Sequence, residues 1–291
     1  MNPLSPSAPT ARTLSLLDDF SLEMTGKDVP KLEEAAPLIP SGTRINVTFL
    51  GHEDARTRLG AARAVKRLGF RPVPHISARR LGSRADFEEF LDGLRADATH
   101  SDVFAVGGDP ARPHGPYPDS LSLIESGLPA AYGVRHIGMA GYPEGHPAIP
   151  RDALWAALRA KSAAIADQGL GADVITQFGF DAGLVLAWIE RLRGEGITLP
   201  VRVGVPGPAG VRRLMGYATR FGVGTSASIA RKYGLSLTHL VGTAGPDRFL
   251  HGLAEAYDQA RHGEVKVHFY TFGGLRATSE WVAGASEGPR A

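Results

Sequence analysis

The strongest constraint on the fold is a regular alternation between two kinds of sequence. Eight short runs of β-branched, aromatic and other apolar residues are separated by stretches whose apolar residues recur every three or four positions. The first pattern is typical of buried strands and the second of amphipathic helices. The predicted strands are residues 20–24, 45–49, 71–75, 102–106, 136–140, 173–177, 201–205 and 265–271.

The stretches between the strands predict helices that pack on a sheet. Ser83 is a predicted N-cap for one helix, and Gly69 closes another. Strands that alternate with helices imply parallel pairing with helical crossovers. Eight such units in one chain favour an α/β fold, a single closed (β/α)8 TIM barrel, over an open doubly wound sheet. The main predicted helices are residues 54–68, 85–94, 152–165, 182–192, 211–221 and 247–259.

The two chain ends differ from this pattern. Residues 1–19 begin with Pro3, Pro6 and Pro9 among small polar residues, which predicts a mobile N-terminal arm. Residues 283–291 predict a flexible tail, so the barrel is expected over residues 20–282. The start has neither the charge nor the apolar run of a signal peptide, and no apolar run approaches the ~18 residues of a membrane span. A cytoplasmic protein without a membrane partner is the expectation.

Composition excludes several classes of function. Lys and Arg together number 32 against 30 Asp and Glu, so the chain lacks the basic excess of a nucleic-acid coat protein. The chain has no cysteine, which excludes disulfides, thiolate metal sites and a cysteine nucleophile. A small-molecule substrate is the expected partner, and the outer helices permit a homo-oligomer.

Polar residues follow the apolar strands at their carboxyl ends. In a (β/α)8 barrel these ends surround the active site. A single polar strand end is ordinary, because strands lead into polar loops. A ring that includes Glu, His, Asp and Gln is chemically useful as a set. The strand-end residues are Glu23, Thr48, His75, Asp109, Tyr142, Gln177, Pro206 and Tyr270.

Glu23 is the first candidate catalytic residue. If Leu22 and Met24 face one side of the strand, Ser21 and Glu23 face the other, which is the lumen or its rim. A carboxyl near the lumen loses hydration, which favours its protonated form and suits a general acid. The alternative is an ion pair between Glu23 and Lys27 on the following loop.

Two strand-end loops have restricted backbones. Gly107 and Gly108 allow close approach of a flat or anionic ligand, and Asp109 then offers a carboxylate, although Gly-Gly-Asp-Pro also suits a plain turn. The second loop, residues 141–147, holds Tyr142 and His146 between prolines and predicts a rigid polar ligand site. No metal is expected there, since the chain has no His-Glu-x-x-His pair.

Gln177 closes the sixth strand and offers both a donor and an acceptor, which suits the edge of a heterocycle. Phe178 and Phe180 beside it are either stacking surfaces or core. Asp181 is a predicted N-cap for the next helix.

Seven of these segments, taken in order, resemble the methylenetetrahydrofolate reductase family. Each motif is weak alone, whereas the ordered set spans residues 20 to 271 with each member at a strand end. The motifs are Phe-Ser-Leu-Glu at 20–23, Asn-Val-Thr-Phe at 46–49, Pro-His at 74–75, Gly-Gly-Asp-Pro at 107–110, Tyr-Pro-Glu-Gly-His-Pro at 142–147, Ile-Thr-Gln-Phe-Gly-Phe-Asp at 175–181 and His-Phe-Tyr-Thr at 268–271.

The resemblance implies a TIM-barrel flavoprotein of one-carbon metabolism and methionine biosynthesis. It would interconvert 5,10-methylenetetrahydrofolate and 5-methyltetrahydrofolate by hydride transfer through FAD. It assigns the general acid to Glu23, the flavin edge to Asp109 and a pterin contact to Gln177. The flavin contacts that it implies are Thr48, His75, Gly108, Asp109, Tyr142, His146 and Lys161. The alternative for Lys161 is a solvated helix lysine.

Several positions depart from the family pattern. Gly107 stands where an arginine is common, so one positive charge beside the flavin is missing. Tyr217 and Arg213 occupy the helix that presents phenylalanine and glutamine in the family. Gly273 and Gly274 replace the family's Asn-Arg after the last strand, and Arg276 is a candidate to replace the lost arginine. Besides Gln177, the expected substrate contacts are Tyr217, Tyr270 and Arg276. These changes fall where NAD(P)H and folate alternate, so the nicotinamide is the least supported partner.

Two alternatives remain at the level of sequence. One is a (β/α)8 lyase without flavin that uses Glu23 and His75 as acid and base. The other is a folate- or flavin-binding protein without turnover.

Overall fold

Eight parallel strands form a closed barrel in the computed structural model, which describes residues 11–51, 53–223 and 243–287. Each strand pairs with its neighbours in sequence, and the last strand pairs with the first. This confirms the (β/α)8 TIM barrel and excludes the open sheet. The strands are β1 (Ser21–Thr25), β2 (Arg44–Thr48), β3 (Arg71–Ser77), β4 (Asp102–Val106), β5 (His136–Gly141), β6 (Gly171–Thr176), β7 (Val201–Pro206) and β8 (Val265–Tyr270).

Helices surround the barrel, and polar side chains cap several of them. Asp54, Ser83 and Asp181 each accept a backbone N–H of the first turn, as predicted for Ser83 and Asp181. The helices of the described residues are α1 (Ala11–Leu17), α2 (Val29–Ala35), α3 (Ala55–Arg67), α4 (Arg84–Ala96), α5 (Ser120–Glu125), α6 (Leu128–Ala131), α7 (Arg151–Asp167), α8 (Ala182–Gly194), α9 (Val211–Phe221), α10 (Asp247–Ala256), α11 (Gln259–His262) and α12 (Leu275–Glu287).

Alternate residues of each strand face opposite sides of the barrel wall. Leu22 and Met24 are buried in the main apolar cluster between strands and helices. Ser21 and Glu23 instead contact His268 of the neighbouring strand β8, on the side of the wall that faces the lumen. The two-residue period of a strand therefore places Glu23 on the lumen side, as the sequence predicts.

A buried ion-pair network fills the amino-terminal end of the barrel. Asp173 lies 3.1 Å from Arg44 and 3.1 Å from Arg202, and Arg44 also lies 3.6 Å from Asp102. Burial alone would raise the pKa of Asp173, but hydrogen bonding to His136 and the charges of Arg44 and Arg202 hold it well below its usual value.

The described parts of the predicted arm and the predicted tail are helical. Residues 11–17 of the predicted arm form α1, whose Leu16 and Leu17 are buried against α10 and β8. Residues 283–287 of the predicted tail continue α12, where Val282 is buried. Apolar burial outweighs the local preference for disorder in both segments. Residues 1–10 and 288–291 lie outside the described part of the chain.

A short antiparallel ribbon pairs Ala209–Gly210 with Thr243–Ala244 after β7. Within the described ranges, the structure contains no helix whose length and apolar character would let it cross a bilayer.

Candidate active site

Glu23 and His268 meet where the barrel closes. Oε2 of Glu23 lies 3.5 Å from Nε2 of His268, and Nδ1 of His268 lies 2.9 Å from Oγ of Ser21. Ser21 and His268 are fully buried, whereas the Glu23 side chain is 22% exposed. Nδ1 of His268 is thus hydrogen-bonded to the Ser21 hydroxyl, and Nε2 is buried and faces the Glu23 carboxyl. No ion pair joins Glu23 to Lys27, although both residues are described.

His75 on β3 and Asn46 on β2 form a second buried polar pair. Nε2 of His75 lies 3.2 Å from Nδ2 of Asn46, and the His75 ring packs 4.6 Å from the ring of Phe104. Burial lowers the pKa of His75 to about 4, although the nearby Glu23 carboxylate works in the opposite direction. The imidazole is therefore neutral at pH 7.

Asn46 was not predicted as a site residue, although it begins the Asn-Val-Thr-Phe motif at residues 46–49. Its Oδ1 atom is buried and has no hydrogen-bond donor in the part of the chain that the structure describes. A buried acceptor without a donor is costly unless water or a ligand satisfies it. The hydroxyl of Tyr142 likewise has no hydrogen-bond partner among the described side chains and backbone groups. Asn46 and Tyr142 are thus two polar groups available to a ligand.

Tyr270 closes the wall beside His268. Its hydroxyl donates to the carbonyl oxygen of Thr176 at 3.1 Å, and burial raises its pKa well above the usual value. A Cβ atom on Gly204 would lie 2.3 Å from that same carbonyl oxygen and 2.8 Å from the Tyr270 ring. The glycine is therefore required for Tyr270 to cross the lumen here.

Asp109 is held by an arginine that the sequence analysis did not identify. Its Oδ1 accepts from Nε of Arg80 at 2.9 Å and from Nη2 at 2.5 Å. Partial burial would raise the pKa of Asp109, but the hydrogen bonds and charge of Arg80 hold it below its usual value. The Asp109 side chain is 74% exposed. Arg80 therefore brings to this loop the positive charge that Gly107 does not supply.

The adjacent loops are shaped by local contacts. Gly108 has φ +94°, and a Cβ there would lie 2.2 Å from Oγ of Ser77. The ring of His146 packs edge-on against Tyr142 at 5.3 Å, and its Nδ1 accepts from the backbone of Ala148. Burial lowers the pKa of His146. Both loops thus hold fixed conformations at the mouth.

Gln177 uses half of its carboxamide locally. Its Oε1 accepts from the backbone N–H of Phe178 at 3.0 Å, which leaves the amide nitrogen for other partners. Phe178 and Phe180 are buried in an aromatic cluster with Phe272, which answers the alternative left open by the sequence in favour of core.

Two other predicted contact residues, Lys161 and Arg276, lie on helices. Lys161 is 7% exposed and lies ten residues into α7, about 15 Å from Arg151 along the helix axis. Burial lowers its pKa to about 8, although Asp119 opposes the shift. It is therefore a buried lysine and not a solvated one. Arg276 pairs with Glu280 on the outer surface of α12.

Tyr217 lies near the end of β8. Its ring stacks on Phe272 with centroids 4.0 Å apart, and Arg213 donates to the carbonyl oxygen of Phe272. Among the described residues there is no cluster of three or more His, Asp or Glu side chains arranged to hold a metal ion.

The residues expected to hold a flavin lie along one arc. Thr48 ends β2 and His75 lies two residues before the end of β3, which extends to Ser77 and not to His75 as predicted. Gly108 and Tyr142 lie just beyond β4 and β5, the next two strands of the barrel. The unsatisfied Asn46 oxygen and the Tyr142 hydroxyl belong to the same arc. These groups fit the ring system of a flavin or another flat heterocycle. Lys161, expected at the diphosphate, is not part of the arc.

Comparison with known proteins does not identify a family. No family model matches the sequence. The dihydropteroate synthase FolP of Thermus thermophilus is 16% identical with a TM-score of 0.47, over 90% of this chain and 91% of that chain. A mutant tryptophan synthase α-subunit of Pyrococcus furiosus is 11% identical with a TM-score of 0.48, over 92% and 93%. Likeness at this level says nothing about ligand or reaction.

Proposed function

We propose that this chain is a flavin-dependent oxidoreductase that interconverts 5,10-methylenetetrahydrofolate and 5-methyltetrahydrofolate. The observation that carries the proposal is the partly exposed carboxyl of Glu23 above the buried His268–Ser21 pair, next to the arc of polar groups on β2 to β5. An acid beside a flat-ligand site is what opening of the substrate's five-membered ring requires.

Glu23 is the proton donor in this proposal. The ring opens when a nitrogen leaves carbon, and a poor amine leaving group needs a proton from a positioned acid. The Glu23 side chain is partly exposed, and one of its carboxyl oxygens lies 3.5 Å from His268. In the reverse direction the Glu23 carboxylate takes the proton back. His268 and Ser21 position the carboxyl and do not contact the ligand.

The polar arc holds the flat ligand. His75 is neutral at pH 7, so it exchanges hydrogen bonds with a ring without adding charge. Oδ1 of Asn46 suits a ring N–H, and the Tyr142 hydroxyl suits a ring acceptor. FAD, when bound, supplies the hydride transfer between the folate and the electron partner. Thr48, Gly108 and His146 complete the contacts proposed for it.

The folate is proposed to lie between Glu23 and Gln177. The free amide nitrogen of Gln177 suits a pterin acceptor, and Tyr270 bounds the site on the β8 side. Asp109 and Arg80 together present a paired carboxylate and guanidinium to the ring edge. NAD(P)H is not included in the proposal, because Tyr217 and Arg213 stand where the family presents phenylalanine and glutamine to the nicotinamide.

An anaerobic absorbance experiment tests the proposal on the full chain. The protein is mixed with FAD, freed of excess, and titrated with 5-methyltetrahydrofolate, with NADH in a parallel sample. Loss of the oxidised flavin absorbance with 5-methyltetrahydrofolate is the expected result, and tetrahydrofolate without the methyl group is the matched control. A chain that binds no FAD, or bound FAD that 5-methyltetrahydrofolate leaves oxidised, overturns the proposal. Bleaching by NADH decides the electron donor.

A further inference from the structure

A second cleft lies between α7 and α8, beside the barrel mouth. Its volume is about 210 Å³. Each helix contributes one face with helical spacing, residues 151, 154, 155 and 158 of α7 and residues 184, 187, 188 and 191 of α8. Ala140 and Gly141, at the end of β5, form part of its floor. The helices diverge enough here to leave a cleft that reaches the strand.

Two indole side chains form part of the walls of this cleft. Trp155 and Trp188 stack with ring centroids 5.5 Å apart and planes 28° apart. A Cβ on Gly141 would lie 2.7 Å from Cη2 of Trp188, so the glycine lets the indole lie directly on the strand. Leu184 at the rim is 50% exposed. Apolar side chains beside a few converging polar groups are typical of a ligand site.

The only charged side chains that line the cleft, as far as the structure describes it, are two arginines. Arg151 has no hydrogen-bond or ion-pair partner among the described residues. The guanidinium of Arg191 lies 4.4 Å from the centroid of the Trp155 ring. Arg191 also pairs with Glu195, but at a distance of 3.6 Å, whereas Arg159 lies 2.6 Å from the same carboxylate. Both guanidinium groups are therefore available to an anion, and Arg191 is also held against an aromatic face.

We propose that this cleft binds a small aromatic carboxylate. The indoles and Leu184 would contact the ring, and Arg151 and Arg191 would bind the carboxylate. The volume is below the roughly 300–1,000 Å³ typical of drug-sized ligands, which favours a single ring with a short acid arm. The proposal uses no group assigned to proton transfer, although Tyr142 of the proposed flavin site also lines this cleft, so the test must separate the two sites.

Tryptophan emission tests the proposal directly. The chain has three tryptophans, two of them in this cleft, while Trp281 donates to Asp247 elsewhere. Phenylacetate is titrated into the full chain, with phenylacetamide as the uncharged probe of the same shape. We expect saturable quenching by phenylacetate and binding of phenylacetamide that is about tenfold weaker, because the charge-assisted hydrogen bonds are lost.

Arginine variants identify the anion contacts. Arg151→Gln and Arg191→Gln should each weaken phenylacetate binding about fivefold to tenfold. The matched control is Arg84→Gln, which removes another exposed helix arginine paired four residues along, with Glu88, and should leave binding unchanged.

Four results would overturn the proposal. They are the absence of saturable quenching, equal binding of the two probes, unchanged binding in both cleft variants, and loss of phenylacetate binding once the protein is saturated with FAD. The last result would assign the cleft to the mouth site.

Discussion

Nε2 of His268 lies 3.5 Å from Oε2 of Glu23, across the seam where β8 meets β1. The same imidazole contacts Ser21, a residue 247 positions away in sequence. The orientation of the proposed acid therefore depends on closure of the barrel, and each end of the chain supplies one partner.

Replacing Glu23 with Gln should abolish most folate turnover. The amide keeps the shape of the carboxyl but does not donate a proton to the leaving nitrogen, so we expect a loss of about hundredfold or more. The measurement is oxidation of 5-methyltetrahydrofolate with an artificial electron acceptor, alongside FAD binding, which should be unchanged. Glu88→Gln, on the surface of α4, is the control. Full turnover by Glu23→Gln would remove Glu23 from the mechanism.

His75 should make the protein less stable in mild acid. Its pKa falls from 6.5 to about 4 on folding, because burial disfavours the charged ring. The unfolded chain therefore binds more protons between these values, and the free energy of unfolding falls as the pH drops from 6.5 towards 4. The full contribution is about 3 kcal/mol.

His75→Gln tests this pH dependence. Urea unfolding at several pH values between 7 and 4 should give a shallower decline for the variant than for the unaltered chain. Parallel curves would show that His75 is not the group responsible.

Lys161→Met should stabilise the protein. Burial lowers the lysine pKa from 10.5 to about 8, so the charged form costs free energy below that pH, and the cost is relieved as the pH rises from 8 to 10.5. Removing the ammonium should raise the free energy of unfolding at pH 7 by about 1–3 kcal/mol. Lys31→Met, at an exposed lysine, is the comparison. FAD affinity that falls about tenfold in Lys161→Met would instead restore this lysine to the diphosphate site.

Asp173→Asn should destabilise the barrel through its buried base. The change keeps the shape of the side chain but leaves Arg44 and Arg202 without their shared carboxylate. Breaking a buried ion-pair network costs about 3–5 kcal/mol, measured as the free energy of unfolding in urea. Asp92→Asn, which breaks an exposed pair with Arg95, should cost under about 0.5 kcal/mol. If the two variants lost similar amounts of unfolding free energy, the buried network would stabilise the fold no more than an exposed ion pair.

The burial of Lys161 and of α1 could have been predicted from the spacing of their apolar neighbours. Lys161 shares a helix face with Trp155, Leu158 and Ile165, and all four are buried. That spacing indicates the inward side of α7 and predicts a buried lysine. Leu16 and Leu17 similarly mark α1 as a packed helix rather than an arm. The prolines and small polar residues of residues 1–9 led to the prediction of a mobile arm for the whole segment.

Other contacts had no local signal. Arg80 lies 29 positions before Asp109, and Asn46 lies 29 positions before His75. Nothing in either segment specifies its partner, because parallel strands bring such residues together only through a helical crossover.

The sequence by itself determined the eight strands, the intervening helices and the face of β1 that carries Glu23. These follow from periodicity, which depends on residues a few positions apart. Only the tertiary structure decided that His268 lies beside both Ser21 and Glu23, that Arg80 holds Asp109 and that Lys161 is buried. The physical reason is that these contacts join segments far apart in the chain, so their distances are fixed by barrel closure and helix packing and not by local preference.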